Sequence, residues 1–510
     1  MRRLDIAGRL ATATAAGAAL LLGACSVMAP PHTVAISAPP QWYAPLPAAA
    51  ASAADPAVDP AGTRPHNGSL SDLTQWWKQQ NDPLLVEVIE AAQAVSPSVI
   101  TARSNIEQAQ ATRASSEAVL LPTLDATANI SRSLSAPINR VTVPPITNLT
   151  QIGFQTSWEL DLFGQNRASL EADKARLSGT EALWHEARVS VAAETALQYY
   201  AVRTCERLLL VARADARSRS ETSRLTEMVT KAGFGAPATA ALARASAAES
   251  NARVTQQRSE CEVDLKTLVA LTGMAEPMLR QKLAQNTATT ALQGIAAIPS
   301  VPADVLAQRP DVYNSARLLA AASFEVGSAR AQRYPRLSIA GNIATNRSTA
   351  RGFTQDFDTW SVGPLALTVP LFDGGANAAN LEAAKARYEE AASKYRGVVR
   401  QAVREVEEAL TKLQGTADRG GDTSAAAEGY RASFAGTEAR YKAGLASLVE
   451  LEDSRRTLLS AQSAVVNLEQ ERRGAWIALY RALGGGWNTA AVPATPMVFD
   501  VPAWGLPARN

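Results

Sequence analysis

Three cysteines are the side chains of this 510-residue chain best suited to covalent chemistry. Cys205 and Cys261 each lie 28 positions from Gly233, so an antiparallel helical hairpin that turns at this glycine places the two thiols opposite each other. Both cysteines also fall on rows of apolar residues that recur every seven positions. An oxidising compartment permits a disulfide here. We therefore expect a Cys205–Cys261 disulfide, the alternative being two small buried residues in a helix seam.

The third cysteine, Cys25, follows a segment with the features of a secretory signal peptide. Positive charge opens the chain, and the apolar run Ala15 to Leu22 is too short to span a bilayer. Leu22-Gly23-Ala24-Cys25 resembles the bacterial lipobox, in which the cysteine thiol accepts a diacylglycerol. We expect residues 1–24 to be removed and Cys25 to carry lipid, the alternative being an ordinary signal peptide with a chance cysteine.

Catalytic and metal-binding constellations do not emerge from the sequence. The three histidines, His32, His66 and His185, have no spacing from which a metal site can be built. Gly233 to Ala238 loosely fits a dinucleotide-binding pattern, but a long helix precedes it where a strand is required. Charge is nearly balanced, with 50 Lys and Arg against 48 Asp and Glu, which indicates no nucleic-acid partner. We assign no enzymatic activity, no cofactor and no metal.

The chain beyond the signal has no apolar stretch of about twenty residues, so any membrane span must be β. Residues 25–70 are rich in Pro and Ala, and we expect them to form a lipid anchor followed by an extended tether.

The remainder of the sequence contains two similar repeats, residues 71–298 and 299–487, followed by a C-terminal tail over 488–510. Leu170 to Arg176 returns as Leu381 to Arg387, and Lys231-Ala232-Gly233 returns as Lys442-Ala443-Gly444, both displaced by 211 positions. Further matches are Leu162-Phe163 with Leu371-Phe372, and Pro122-Thr123-Leu124 with Pro335-Arg336-Leu337.

Each half predicts two strands, because apolar and polar residues alternate with a period of two. The expected strands are about 123–132, 150–163, 336–346 and 359–372. A phase slip at Gly363-Pro364 predicts a bulge in the last one. Four strands cannot close a barrel, and open edges are not tolerated in lipid, so the barrel must be shared between two, three or four copies.

Each half also predicts a very long helical hairpin, over about 166–273 and about 376–484. The stretch from Ala168 to Thr230 has no Pro, and as one helix it would be about 90 Å long. Apolar residues recur at sevens along both hairpins, which is typical of coiled-coil seams. The fold class expected is therefore an α+β membrane protein with an internal tandem repeat.

Five motifs, taken in order, resemble the TolC-like family of outer-membrane efflux proteins, in particular its lipoprotein (NodT-type) branch that serves resistance-nodulation-division pumps. They are Trp76-Trp77 before Asp82-Pro83-Leu84, Arg309-Pro310-Asp311-Val312, Tyr334-Pro335-Arg336-Leu337, Pro370-Leu371-Phe372-Asp373-Gly374-Gly375 and Tyr441-Lys442-Ala443-Gly444. The resemblance covers almost the whole chain after the signal.

This resemblance implies a homotrimer with a 12-stranded outer-membrane barrel, four strands per chain, continued by a periplasmic α-helical barrel. It implies a passive exit for small molecules delivered by an inner-membrane pump and a periplasmic adaptor. The hairpin turns, at Gly233, Gly235, Gly444, Leu445 and Ser447, would form the periplasmic tip where the adaptor docks.

The same resemblance implies an acidic constriction. Glu450 and Asp453 follow the second turn at positions similar to the family's tip motif, in which acidic side chains project into the narrowed lumen. Three copies around one axis would attract cations. The alternative is that both residues are solvated and paired with Arg455 or Arg456. For the whole protein, the alternatives are the exit duct of a one-step protein secretion system and a structural coiled-coil periplasmic lipoprotein.

Overall fold

The computed structural model describes residues 29–35, 39, 41–44, 76–134, 146–286 and 309–487. Its elements repeat in the order short helix, two strands and two long helices, which confirms the predicted α+β fold class with a tandem repeat. In chain order they are α1 (Trp76–Gln79), α2 (Pro83–Val95), α3 (Pro97–Ala118), β1 (Thr123–Leu134), β2 (Ile146–Leu160), α4 (Gln165–Lys231), α5 (Pro237–Thr272), α6 (Glu276–Gln285), α7 (Pro310–Ala331), β3 (Arg336–Ala350), β4 (Phe353–Thr368), α8 (Ala376–Lys442) and α9 (Leu448–Ala482).

The long helices α4 and α8 have the same length, 67 residues, and begin in the same way. Gly164 and Gly375 precede them with positive φ values of 77° and 91°, which a residue with a side chain rarely adopts. A preceding aspartate then accepts hydrogen bonds from first-turn N–H groups, Asp161 from Asn166 at 3.2 Å and Asp373 from Asn377 at 2.9 Å. Both halves therefore use one device to turn from strand to helix.

A helix that crosses a membrane must be both long and apolar. Among the described residues no single helix has the length and apolar character to do so, although α2 and α3, bent by 50°, pass that test as a pair.

The four strands form one antiparallel sheet in the order β1-β2-β3-β4. All four strands extend further at their hairpin ends than the alternation predicted, because the hydrogen-bond ladder continues into polar sequence. At the other end, β2 and β4 stop at Leu160 and Thr368 rather than at the predicted 163 and 372, because the chain there turns towards the long helices. A two-residue turn, Arg351-Gly352, joins β3 to β4, and its positive φ values of 53° and 82° suit a tight hairpin. The register slips between Ile339 and Gly341, opposite the Gly363-Pro364 segment, which confirms the predicted bulge.

The largest apolar core lies at mid-height of the long helices, where α1 and α2 pack against α4 and the end of α9. Trp76 stacks on Tyr480 at 5.0 Å, and Trp77 meets the same ring edge-on at 4.9 Å. Tyr199 and Leu479 of the same core are almost completely buried. Burial of a large aromatic side chain contributes about 2–3 kcal/mol, so this cluster holds the two halves together.

The described parts of the predicted tether pack against the helices. Ser323 of α7 donates to the carbonyl of Pro30 at 2.6 Å, and Tyr388 of α8 donates to that of Pro31 at 3.0 Å. The backbone N–H groups of Tyr43 and Ala44 donate to the two oxygens of the Glu407 carboxylate, both at 2.7 Å. We call residues 29–44 the strap, since its described parts bind both α7 and α8.

Candidate functional site

The sheet presents a row of exposed apolar side chains that alternates with polar residues. On β2 this row contains Ile152, Phe154 and Trp158, with Gln151 and Gln155 on the opposite face. The row continues across the other three strands. It contains Leu124 and Ile130 of β1, Ile343 of β3, and Trp360, Val362, Leu365 and Leu367 of β4. Such a face buries itself favourably in lipid.

Among the residues that the structure describes, the two outer strands, β1 and β4, each have one edge without a hydrogen-bonded strand partner. Unpaired backbone groups at an edge favour the addition of another strand.

The hairpin tips, where α4 meets α5 and α8 meets α9, end their first helix in the same way. Gly233 and Gly444 have φ values of 83° and 74°, and the next residue donates its N–H five residues back, Phe234 to Val229 and Leu445 to Arg440. This pattern ends a helix with a left-handed glycine. At Gly235 an added Cβ would lie 2.7 Å from Thr230 Oγ1, so a side chain there requires rearrangement.

Both tips expose apolar side chains to solvent. Phe234 is 87% exposed, and Leu445 and Val449 are 71% and 64% exposed. Exposed large apolar groups on a helical tip are typical of a protein-binding surface.

The two predicted gate residues lie on the exposed surface of α9 within the single chain. Glu450 takes part in a capping box: Ser447 N–H donates to Glu450 Oε2 at 2.8 Å, and Glu450 N–H donates to Ser447 Oγ at 3.2 Å. Asp453 forms an ion pair with Arg456. Both carboxylates therefore have local partners, and an acidic constriction stays a prediction.

A buried ionic network, which the sequence patterns do not indicate, joins three helices behind these residues. Glu452 of α9 binds Arg219 of α4 and accepts a hydrogen bond from Ser246 of α5 at 2.6 Å. Asp215 also binds Arg219, at 2.9 Å, and Arg455 binds Glu452. The network links the second hairpin to both helices of the first.

Burial shapes the electrostatics of that network. Desolvation lowers the pKa of Arg455, and the charge of Glu452 opposes this effect. Arg455 also donates to Ser218 and Thr222 of α4, each at 3.0 Å. Removing one partner of such a buried set leaves an uncompensated charge, which costs about 3–5 kcal/mol.

The two cysteines predicted to pair, Cys205 on α4 and Cys261 on α5, form a disulfide in the structure, with their Cα atoms 5.4 Å apart. It lies between the tip and the mid-height core and joins the two helices of the first hairpin. In the second hairpin, the residues 211 positions further along are Thr416 and Arg472, so that hairpin has no corresponding covalent link. The predicted lipidation residue, Cys25, lies outside the described residues.

Arg309 joins three helices of the second half beside the mid-height core. Its guanidinium donates to Asp311 at 2.7 and 3.0 Å, to Glu405 of α8 at 2.8 Å, and to the carbonyl of Ala482 at the end of α9 at 2.9 Å. Burial alone would lower the pKa of Arg309, but Asp311 and Glu405 outweigh it and raise the pKa. One side chain thereby satisfies a helix C-terminus and two carboxylates.

The capping box of Glu450 could be predicted from the sequence, whereas the buried ionic network could not. Ser447-Leu448-Val449-Glu450 has the Ser-x-x-Glu spacing of a capping box, so the local role of Glu450 could have been found. The contact between Arg219 and Glu452 spans 233 positions and carries no local signal.

Comparison with known proteins places the whole arrangement in a family. The chain matches the family model of the outer membrane efflux protein over residues 88–274 and 301–485. It is 28% identical over 412 residues to the toluene efflux pump outer membrane protein TtgI of Pseudomonas putida, covering 80% of this chain and 87% of that protein. It is 28% identical over 487 residues to the pyoverdine export outer membrane protein OpmQ of Pseudomonas aeruginosa, covering 92% and 96%.

A solved structure agrees with these sequence matches. The outer membrane channel CmeC of Campylobacter jejuni superposes with a TM-score of 0.75 at 25% identity, covering 84% of this chain and 91% of that one. Since the family model spans most of the sequence and the same duplicated fold recurs in a solved channel, the chain belongs to the outer membrane efflux protein family.

Proposed function

We propose that this protein is the outer-membrane exit duct of a tripartite efflux system, through which small molecules pass without catalysis. The observation that carries the proposal is the exposed apolar face of a four-stranded sheet set directly on two 67-residue helices. A lipid-facing sheet and a long helical rod suit a path that crosses the outer membrane and continues into the periplasm.

The duct is a homotrimer in this proposal, with twelve strands closing a barrel. The unpaired edges of β1 and β4 support assembly, because each edge can pair with another copy. Three copies also follow from the family resemblance.

The partners are a periplasmic adaptor and an inner-membrane pump of the resistance-nodulation-division class. The exposed apolar residues at both hairpin tips support adaptor docking there. The printed name of TtgI describes the outer-membrane protein of an efflux pump, which supports the same assignment.

Lipid attached to Cys25 anchors the chain independently of the sheet. The complete lipobox supports this anchor, and the strap, which contacts α7 and α8, begins four residues after Cys25.

The cargo is a small molecule whose identity is set outside this chain. Relatives of similar identity carry names that mention toluene and pyoverdine, two unlike compounds. These names favour small-molecule efflux over one-step protein secretion. A purely structural periplasmic lipoprotein would leave the apolar face of the sheet without a role.

The experiment compares adjacent residues on opposite faces of β2. Ile152→Arg places a charge on the apolar face near the middle of the strand, where lipid exposure costs about 2–4 kcal/mol, whereas Gln151→Arg places it on the polar face. Each variant is expressed with its pump and adaptor in a host lacking other outer-membrane efflux channels. Ethidium efflux and outer-membrane content of heat-modifiable oligomer are measured.

We expect Ile152→Arg to abolish both membrane oligomer and ethidium efflux, and Gln151→Arg to retain both. The proposal is overturned if the two variants have the same oligomer content and ethidium efflux. It is also overturned if the unmodified protein is released in soluble form once its anchor is removed.

A further inference from the structure

On the face of the sheet that carries the exposed apolar row, the charged side chains of the described strand residues lie only towards the hairpin ends. Along β2 this face contains Leu160, Trp158, Phe154 and Ile152 and becomes polar from Thr150 onwards. The ten positions from Leu160 to Thr150 extend about 33 Å along the strand, which covers roughly 23 Å at a tilt of about 45°. The apolar band of an outer-membrane barrel is about 25 Å tall. In the proposed duct, Thr150 therefore lies where the headgroups of the outer leaflet begin.

Two arginines lie at this boundary, on the two strands that flank β2. Arg132 of β1 pairs with Asn148, and Arg347 of β3 pairs with Thr150. Spacings of about 4.8 Å between strands and about 3.3 Å between residues place the two arginine Cα atoms about 12 Å apart. The Asn148 amide and the Thr150 hydroxyl lie between them on the same face. We call these four residues the donor cradle, since all four carry hydrogen-bond donors on one face of three adjacent strands.

The donor cradle retains unused donors. Arg132 is exposed and has no ion pair with any residue that the structure describes. Arg347 donates from Nε and Nη2 to the Asp356 carboxylate at 2.8 and 3.0 Å, so that carboxylate is neutralised. The other acid of this face, Asp358, accepts a hydrogen bond from Thr345 at 2.8 Å. Both acids belong to β4, which β2 and β3 separate from β1, so the surface over β2 is positively charged.

A shallow apolar concavity of 690 Å³ lies on the periplasmic side of the donor cradle. The outward side chains around it come from all four strands and are those of Ala126, Ala128, Ile152, Phe154, Ile343, Thr345 and Asp358. The alanines of β1 leave space beside the larger side chains of β2 and β3. Arg347 lies two positions beyond Thr345, about 7 Å along the strand, so the concavity ends where the cradle begins.

We propose that the donor cradle and the concavity together bind lipid A, the phosphorylated glycolipid of the outer leaflet. A phosphate lies on Arg132 and Arg347, and an acyl chain lies in the concavity. The planar guanidinium donates two hydrogen bonds at once and therefore suits a phosphate. The order of the two parts matches the lipid, because its phosphates lie at the membrane surface and its acyl chains point towards the membrane centre. The inference rests on the proposed duct, which places the hairpin ends of the strands in the outer leaflet.

Native mass spectrometry of the purified full-length oligomer tests the lipid site. The probes are lipid A with both phosphates and lipid A stripped of its phosphates, which has the same acyl chains. We expect Arg132→Gln to weaken binding of the phosphorylated lipid about tenfold, and Arg132→Gln with Arg347→Gln about a hundredfold. One hydrogen bond to a charged group contributes about a factor of ten. The stripped lipid should bind the unmodified protein as weakly as the phosphorylated lipid binds the double variant.

Arg336→Gln is the matched control, because Arg336 is exposed on the same β3 but lies on the polar face at the opposite end of the strand. This variant should bind lipid A like the unmodified protein. The single variant Arg132→Gln leaves the pair of Arg347 with Asp356 intact, so it tests the site even if the double variant fails to assemble. Excess inorganic phosphate should not displace lipid A, because it has no acyl chain. A metal chelator should not displace it either, because the arginines contact the phosphate directly.

The lipid site is overturned if both lipids bind equally, or if Arg132→Gln and Arg336→Gln bind the phosphorylated lipid equally. Displacement by inorganic phosphate also overturns it. Loss of binding in chelator would assign the phosphate to divalent cations rather than to the arginines, and has the same consequence. The proposed duct survives all these results while the unmodified protein forms its heat-modifiable oligomer in the outer membrane. Absence of that oligomer overturns the duct itself.

Discussion

At the residue scale, Glu450 and Asp453 carry the prediction about ion selectivity. Glu450→Gln keeps a side chain that suits a capping box and removes its charge, while Asp453→Asn removes the charge that pairs with Arg456. We expect the double variant to lose cation selectivity and inhibition by trivalent cations in planar bilayers. A ring of like charges attracts counter-ions only while the charges are present.

Glu428→Gln is the control for this measurement, because Glu428 is an exposed acid of α8 away from the tip. If the double variant keeps the cation selectivity and the trivalent-cation block of the unmodified protein, both carboxylates lie on the outer surface.

The cysteines give a second prediction at this scale. Protein isolated without reductant should yield a peptide pair joined through Cys205 and Cys261 by mass spectrometry. Cys205→Ser with Cys261→Ser should lower stability by roughly 2–4 kcal/mol, because the bond closes a long loop in the unfolded chain. The measurement is the temperature at which the oligomer dissociates, with and without reductant. The reductant should lower this temperature for the unmodified protein and leave that of the double variant unchanged. Maleimide labelling of both thiols in unreduced protein would show the prediction to be wrong.

At the scale of elements, Arg309 joins the start of α7, the interior of α8 and the end of α9. Arg309→Lys keeps the charge but cannot reach two carboxylates and a carbonyl at once. We expect a loss of about 2–4 kcal/mol in stability, measured as a lower temperature of oligomer dissociation, with normal outer-membrane targeting. Arg396→Lys, at an exposed position of the same α8 that carries Glu405, should change nothing. Equal stability of the two variants would contradict a role for the Arg309 junction.

The helices and strands were predictable from the sequence to a larger extent than the contacts between them. Alternating strands and heptad rows are local patterns, and the duplication is visible as recurring letters, so the strands and hairpins could be predicted from the sequence. The equal spacing of Cys205 and Cys261 from Gly233 was sufficient to predict that they lie opposite each other in the first hairpin. The Arg219–Glu452 contact and the docking of Tyr43 on Glu407 join distant segments through side-chain geometry, which periodicity does not encode.

At the scale of the whole molecule, we expect lipid anchoring at Cys25 and insertion of the sheet to be separable. Cys25→Ala with an ordinary cleavable signal should still insert into the outer membrane and assemble, because the apolar face of the sheet remains. Fractionation and gel mobility before and after heating measure this. Fully soluble, monomeric protein would show that the assignment of the strands to the membrane is wrong.

The strap also limits the distance between Cys25 and α7. Ala29 lies against α7 at Gly327, where an added methyl group would be 3.5 Å from its Cβ, and Pro30 is bound one turn away through Ser323. Ala29 lies four positions after Cys25, and a fully extended chain over four positions spans about 14 Å at most. A lipid attached to Cys25, as proposed, would therefore enter the bilayer within that distance of Ala29, and the anchor would limit how far the long helices extend below the membrane.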